Sequence, residues 1–191
     1  MLSVSSFQLW EYKTGKKTSK DISSNERVQY GKKAEKPLIE LFALDFPEYE
    51  VIFKDHESGE FDSIIHPEYE FLMASLDMEL IEKATGRKGI GEIKTAVIDR
   101  HSDWEKWDNQ IPESYYCQCI HNMNVACADF FVLKVQLKSK DKNGVVMTTC
   151  KHYIEDRKNH KESIDYLQEK ELGFWEYVKT DKCPPLVLPG L

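Results

Sequence analysis

No run of this sequence approaches the ~18 consecutive apolar residues of a membrane-spanning helix, so a bilayer-crossing protein is not expected. The start, Met1-Leu-Ser-Val-Ser-Ser-Phe7, lacks the basic and apolar regions of a secretion signal, which points to a cytoplasmic location. Cysteine is sparse and odd in number, five in all, and no C-x-x-C pair occurs. That spacing argues against a zinc ribbon, an iron–sulfur cluster or a disulfide framework, and reduced thiols suit the cytoplasm. Positive charge is also in deficit: Lys and Arg total 26 against 33 Asp and Glu, a formal charge of −7. Such a balance is unfavourable for holding nucleic acid by bulk electrostatics, so any DNA contact must use local basic strips. Two strips are available: Lys13, Lys16, Lys17 and Lys20 continuing to Lys32, Lys33 and Lys36, and Arg157-Lys-Asn-His-Lys161. Both are equally readable as solvated surface. With no repeat or linker, and 41% hydrophobic residues to build one core, residues 1–191 are expected to form a single domain.

What is present is a compact polar motif, Gly91-Glu92-Ile93-Lys94-Thr95. On a strand, alternation puts Glu92 and Lys94 on one face and turns Ile93 into the core. A second acid, Asp77, lies in Met73-Ala-Ser-Leu-Asp-Met-Glu-Leu80, and the turn-like Thr85-Gly-Arg-Lys-Gly89 separates the two segments. Paired as an antiparallel hairpin, they would bring Ser75 and Asp77 to the face of Glu92 and Lys94. Two acids and a lysine on one wet face suit metal-assisted phosphodiester hydrolysis, with hard oxygen ligands for Mg²⁺ and a cation beside the attacking water.

The surrounding pattern supplies the rest of an α/β domain with a mixed central sheet flanked by helices. Residues 5 to 13 form a short helix, and Ser24 or Asn25 caps a second from Glu26 to about Phe46 with Val28, Leu38, Ile39, Leu41 and Phe42 at helical spacing. Glu35 lies on or beside that buried face, either paired with a lysine at the surface or joining a buried site, and Pro37 is expected to kink the helix near it. Strands are expected at 50–56, from Phe61 to Ile65, around Asp77 and around Glu92, with a turn at Glu57 to Glu60. Trp104 and Trp107 follow in a polar loop, either as a packed helical turn or as a base-stacking platform. A helix from Pro112 to about Cys127 has Tyr115, Cys119, Met123 and Cys127 as its core stripe. Gln118 and Asn122 form the adjacent polar row; a glutamine there can satisfy the backbone, orient a nucleophilic water or hold a phosphate. Asp129 to Leu137 and Val145 to Ile154 make a hairpin across the turn Ser139 to Gly144. A long amphipathic helix follows from Asp156 to about Lys179, carrying Ile164, Leu167, Leu172, Trp175 and Val178, and 183–191 is an apolar, proline-stiffened tail. Cys150, His152 and His160 match no known metal-ligand spacing.

Four blocks, taken in order, carry a family resemblance: Gly31-Lys-Lys-Ala-Glu35-Lys-Pro-Leu38, Ser75-Leu-Asp77, Gly91-Glu92-Ile-Lys94-Thr95 and Ile111-Pro-Glu-Ser-Tyr-Tyr-Cys-Gln118. Over about residues 7 to 137 the chain resembles the phage recombination exonucleases of the lambda exonuclease and YqaJ-like family, within the PD-(D/E)xK nucleases of restriction-endonuclease-like fold. The resemblance implies a metal site of Asp77, Glu92, the Ile93 carbonyl and Glu35, filled by Mg²⁺ or by Mn²⁺, which the same oxygens accept. It implies that Lys94 positions or activates the water, that Gln118 orients the nucleophile, and that Ser75, with Lys32 and Lys33, meets DNA. It further implies 5′ to 3′ degradation of one strand of linear double-stranded DNA, a 3′ tail passed to a single-strand annealing protein, and a homotrimeric ring. An endonuclease or repair nuclease on the same core, or a degenerate nuclease fold kept for DNA or partner binding, are the alternatives. The family's N-terminal segment, with its arginine and Thr-Ala-Ser-like motif ahead of Phe7 to Gly15, is expected to be missing, which bears on 5′-end recognition and processivity. Leu76 stands where the wider superfamily has proline.

Overall fold

The structure is a computed structural model that describes residues 5–53 and 63–185. The expected strand residues 54–56, the turn 57–60, the strand start at 61–62 and tail residues 186–191 lie outside the described residues. Helix α1 (Ser6–Lys13) begins in a reciprocal cap, Ser5 Oγ accepting from the Gln8 N–H and the Gln8 side chain from the Ser5 N–H, each at 3.2 Å. Helix α2 (Glu26–Asp45) is capped by Asn25 and continues through Pro37 without a break. It buries Leu38, Ile39 and Phe42, whereas Leu41, placed with them by spacing, is 49% exposed.

Five strands make the main sheet: β1 (Tyr49–Ile52), β4 (Met78–Glu82), β5 (Lys88–Val97), β6 (Phe130–Lys140) and β7 (Val146–Asp156), in the order β1-β4-β5-β6-β7. Among the described strands only β5 and β6 run parallel. That pairing needs a crossover, and the chain makes it through the short α3 (His101–Glu105) and the longer α4 (Glu113–Val125). After β7 a 3₁₀ turn (Arg157–Asn159) leads into α5 (Lys161–Lys179), so the last helix starts later than its amphipathic pattern suggests. The Asp77 segment is also not one strand. Met73–Ala74 (β3) pairs with Ile64–Ile65 (β2) in a separate two-stranded sheet, and the chain passes through Ser75, Leu76 and Asp77 before entering β4.

Strand alternation sorts the core into two layers. On one face Leu38, Ile39 and Phe42 of α2 pack with Met78, Leu80, Ile93, Phe130 and Val132. On the other, Cys119, Ile120 and Met123 of α4 and Ile164 of α5 cover Ile90, Phe131, Leu133, Val135 and Leu137. Cys127 leaves the expected α4 stripe, because the helix ends at Val125 and Cys127 turns to a φ of 49° with its side chain exposed. Trp107 is 3% exposed in the second layer and stacks on Tyr115, which settles the two tryptophans in favour of a packed turn. Arg157 is likewise structural: its guanidinium donates to the carbonyls of Met123 and Ala128 and to Asn124 Oδ1, tying down the end of α4.

One residue breaks the apolar pattern of the α2 layer. Lys134, beside Ile93 in the ladder, has a side chain 1% exposed, and its ion-pair partner among the described residues is Asp45, 3.8 Å away and itself 57% exposed. Burial, partly countered by Cys150 and Asp45, holds this ammonium below the usual lysine value. A buried charge so weakly paired costs stability relative to an apolar side chain of similar shape. Lys134→Met is therefore expected to stabilise the fold by roughly 1 kcal/mol or more and so to raise the thermal midpoint; calorimetry showing a lower midpoint would contradict this.

Candidate active site

Glu92 sits in the middle of β5 and faces α4 with a relative exposure of 1%. A carboxylate that deep must be hydrogen-bonded. Three donors reach it: Lys94 Nζ and Gln118 Nε2 both meet Oε1, the latter at 2.7 Å, and Asn122 Nδ2 meets Oε2 at 2.9 Å. Gln118 and Asn122 are four residues apart, so one helical face of α4 presents both amides to the strand. Lys94 joins them because it lies two residues along the same strand.

Asp77 comes to the cluster through the register of the hairpin. Met78 pairs with Gly91, and the Asp77 carboxylate continues the ladder in place of a backbone carbonyl, its Oδ2 accepting from the Ile93 N–H at 2.7 Å. Gly91 makes this possible, since a Cβ there would overlap Met78. The electrostatics follow from the packing. Burial, then the neighbouring Asp77 charge, push the Glu92 carboxyl up to about 7, against the opposing pull of Lys94 and Asn122. For Lys94, burial is the largest influence and acts downward, but Glu92 and Asp77 together outweigh it and keep the ammonium above the usual lysine value. Burial raises the Cys119 thiol beside them well above its ordinary value, so it stays protonated.

The structure thus brings together Asp77, Glu92, Lys94 and Gln118. Glu35 is half-buried on α2, the helix that packs against the opposite face of the sheet. Among the described residues no group of three or more His, Cys, Asp or Glu that could hold a metal ion is found; Asp77 and Glu92 are the acids whose charges act on one another. Ser75 is exposed with its Oγ 3.3 Å from that of Ser63, because the chain leaves β3 before reaching it; it does not share the Glu92 strand face as the single-strand reading had it. Lys32 and Lys33 are exposed on α2. Asn122 carried no role in the sequence reading, although its place one turn after Gln118 was the available signal.

Two predictions follow from this geometry. Gly91→Ala is expected to cost about 1–3 kcal/mol by forcing Met78 aside; chemical denaturation giving the wild-type midpoint would show that Met78 yields freely. Because folding raises Glu92 from 4.5 to about 7, the folded protein holds a proton that the unfolded chain has released between those values. Its contribution to stability is complete at the acid end of that window and is lost as pH rises through it. Thermal unfolding in EDTA should therefore show wild type losing stability relative to Glu92→Gln from about pH 4.5 to about 7; parallel profiles would contradict the assignment.

Comparison with known proteins agrees with this architecture. Two crystal structures share the fold: an alkaline exonuclease (LHK-Exo) from Laribacter hongkongensis, TM-score 0.58 at 14% identity, and LHK-Exo in complex with dAMP, TM-score 0.56 at 16% identity. Each match covers 86% of this chain and 73% of the other. At that identity the likeness establishes the restriction-endonuclease-like fold. An uncharacterized protein YqaJ of Bacillus subtilis (strain 168) is 27% identical over 169 residues, 88% of this chain; the chain spans 46% of that relative's length. The model of the YqaJ-like viral recombinase domain matches residues 2–129, a span that includes Glu35, Asp77, Glu92, Lys94, Gln118 and Asn122. The chain belongs to the YqaJ-like viral recombinase family.

Proposed function

We propose that this chain is a metal-dependent DNA exonuclease that hydrolyses one strand of linear double-stranded DNA, 5′ to 3′, and leaves a 3′ single-stranded tail. The observation that carries the reading is the buried Glu92 carboxylate beside Asp77, with Lys94 on the same strand face. The donor chemistry fits a divalent cation: both acids offer hard oxygens, and their mutual repulsion is what a dication would relieve. Asp77 and Glu92 would hold it, with the Ile93 carbonyl and Glu35 as the further ligands the family pattern supplies. Such an ion, Mg²⁺ or Mn²⁺, would stabilise phosphate charge and acidify a bound water.

The chain's own groups do the remaining work. Lys94, kept charged by Glu92 and Asp77, offers a fixed cation to the negative charge that grows on the phosphate during attack. Gln118 holds Glu92 Oε1, leaving the carboxylate preorganised beside the nucleophile. Exposed Ser75, Lys32 and Lys33 are assigned to DNA phosphates. The family and the alkaline exonuclease of like fold support exonuclease chemistry. A cytoplasmic setting, a homotrimer and delivery of the tail to a single-strand annealing protein complete the proposal. No helix among the described residues is long and apolar enough to cross a membrane.

End-labelled linear duplex, with closed circular duplex as control, tests the reading. Loss of the 5′ label from linear DNA with Mg²⁺, arrested by EDTA, is expected, and Glu92→Gln or Lys94→Ala should lower the rate by about 100-fold or more. Nicking of the circle would identify an endonuclease, and an inert wild type would identify a core retained for binding.

A further inference from the structure

The arrangement of donors on Glu92 is uneven. A carboxylate has about four lone-pair positions, two on each oxygen. Oε1 accepts from both Lys94 Nζ and Gln118 Nε2, which occupies its capacity, whereas Oε2 accepts from Asn122 Nδ2 at 2.9 Å. Among the described residues, Oε2 is therefore the oxygen with a lone pair left to offer. Asn122 is itself 3% exposed, and its side-chain amide donates to this oxygen. Most side-chain hydrogen bonds go to backbone groups or water, whereas the Asn122 donor goes to a carboxylate.

We propose that Asn122 is a positioning residue that aims Glu92 Oε2, and that this is the Glu92 oxygen that binds the divalent cation. The inference rests on the metal-dependent reading above and adds the residue that orients the ligand. The mechanism is that of an outer-shell partner: by engaging one lone pair of Oε2 it fixes the rotation of the carboxylate, so the second lone pair points to a constant place. Gln118 and Lys94 hold the other oxygen, Oε1, and Glu92 is left with one orientation. The whole device depends on α4 presenting positions 118 and 122 one turn apart, and Arg157 clamps the far end of that helix through the Met123 carbonyl and Asn124.

Mn²⁺ binding to the metal-free chain, followed by calorimetry, separates positioning from plain structural support. Asn122→Leu keeps the volume and removes the donor, and Asn122→Ser serves as a smaller second replacement; thermal unfolding in EDTA establishes that each is folded. Both folded variants are expected to bind Mn²⁺ about tenfold or more weakly than wild type. Their nuclease rate should be recovered by excess Mn²⁺ with KM for DNA unchanged. Wild-type Mn²⁺ affinity in either folded variant overturns the inference and leaves the nuclease reading standing. Absence of Mn²⁺ binding by wild type overturns the metal-dependent reading, and this inference with it.

Discussion

A carboxylate almost completely withdrawn from water at Glu92 is the constraint from which the site's architecture follows. Leaving such a group without partners costs several kcal/mol, so the fold must deliver donors to it. Two devices deliver them, and a third works against them. Strand alternation supplies Lys94, the crossover between parallel β5 and β6 supplies α4 with Gln118 and Asn122, and the β4–β5 register supplies Asp77 as a second acid. The first two devices stabilise the buried charge. The third opposes it, and burial first, with this opposition second, raises Glu92 toward neutrality.

A stable domain without a function would avoid this arrangement. Placing Asp77 against Glu92 stores electrostatic repulsion in the folded state, and a divalent cation is the partner that would release it. Functional sites commonly hold such locally unfavourable groupings because the remainder of the fold can support them. Here the support is two fully packed layers, one under α2 and one under α4 and α5, which fix β5 from both sides.

Much of this was legible before any coordinates. The period-two pattern of Gly91 to Thr95 put Glu92 and Lys94 on one face, and the intervening turn predicted the antiparallel pairing that the Met78–Gly91 register shows. The polar row of Gln118 and Asn122 was visible from helical spacing, but its target was not, because which strand faces a crossover helix is decided by the fold and not by local pattern. Other departures share a cause. Ser75 left the strand because Met73–Ala74 found a different partner in β2, and pairing partners are long-range facts. Arg157 looked like part of a basic surface strip, yet the carbonyls at the end of α4 claimed it. Lys134 broke an otherwise apolar strand with no local signal of the layer it would enter.

The central claim is that Asp77 and Glu92 act as one divalent-cation site, and anomalous scattering from crystals grown with Mn²⁺ addresses it directly. The account predicts a single strong peak bonded to an oxygen of Asp77 and to Oε2 of Glu92, at roughly 2.0–2.3 Å from each. A peak bound elsewhere, or an empty pair of carboxylates with Lys94 still seated on Glu92 at saturating Mn²⁺, would contradict it.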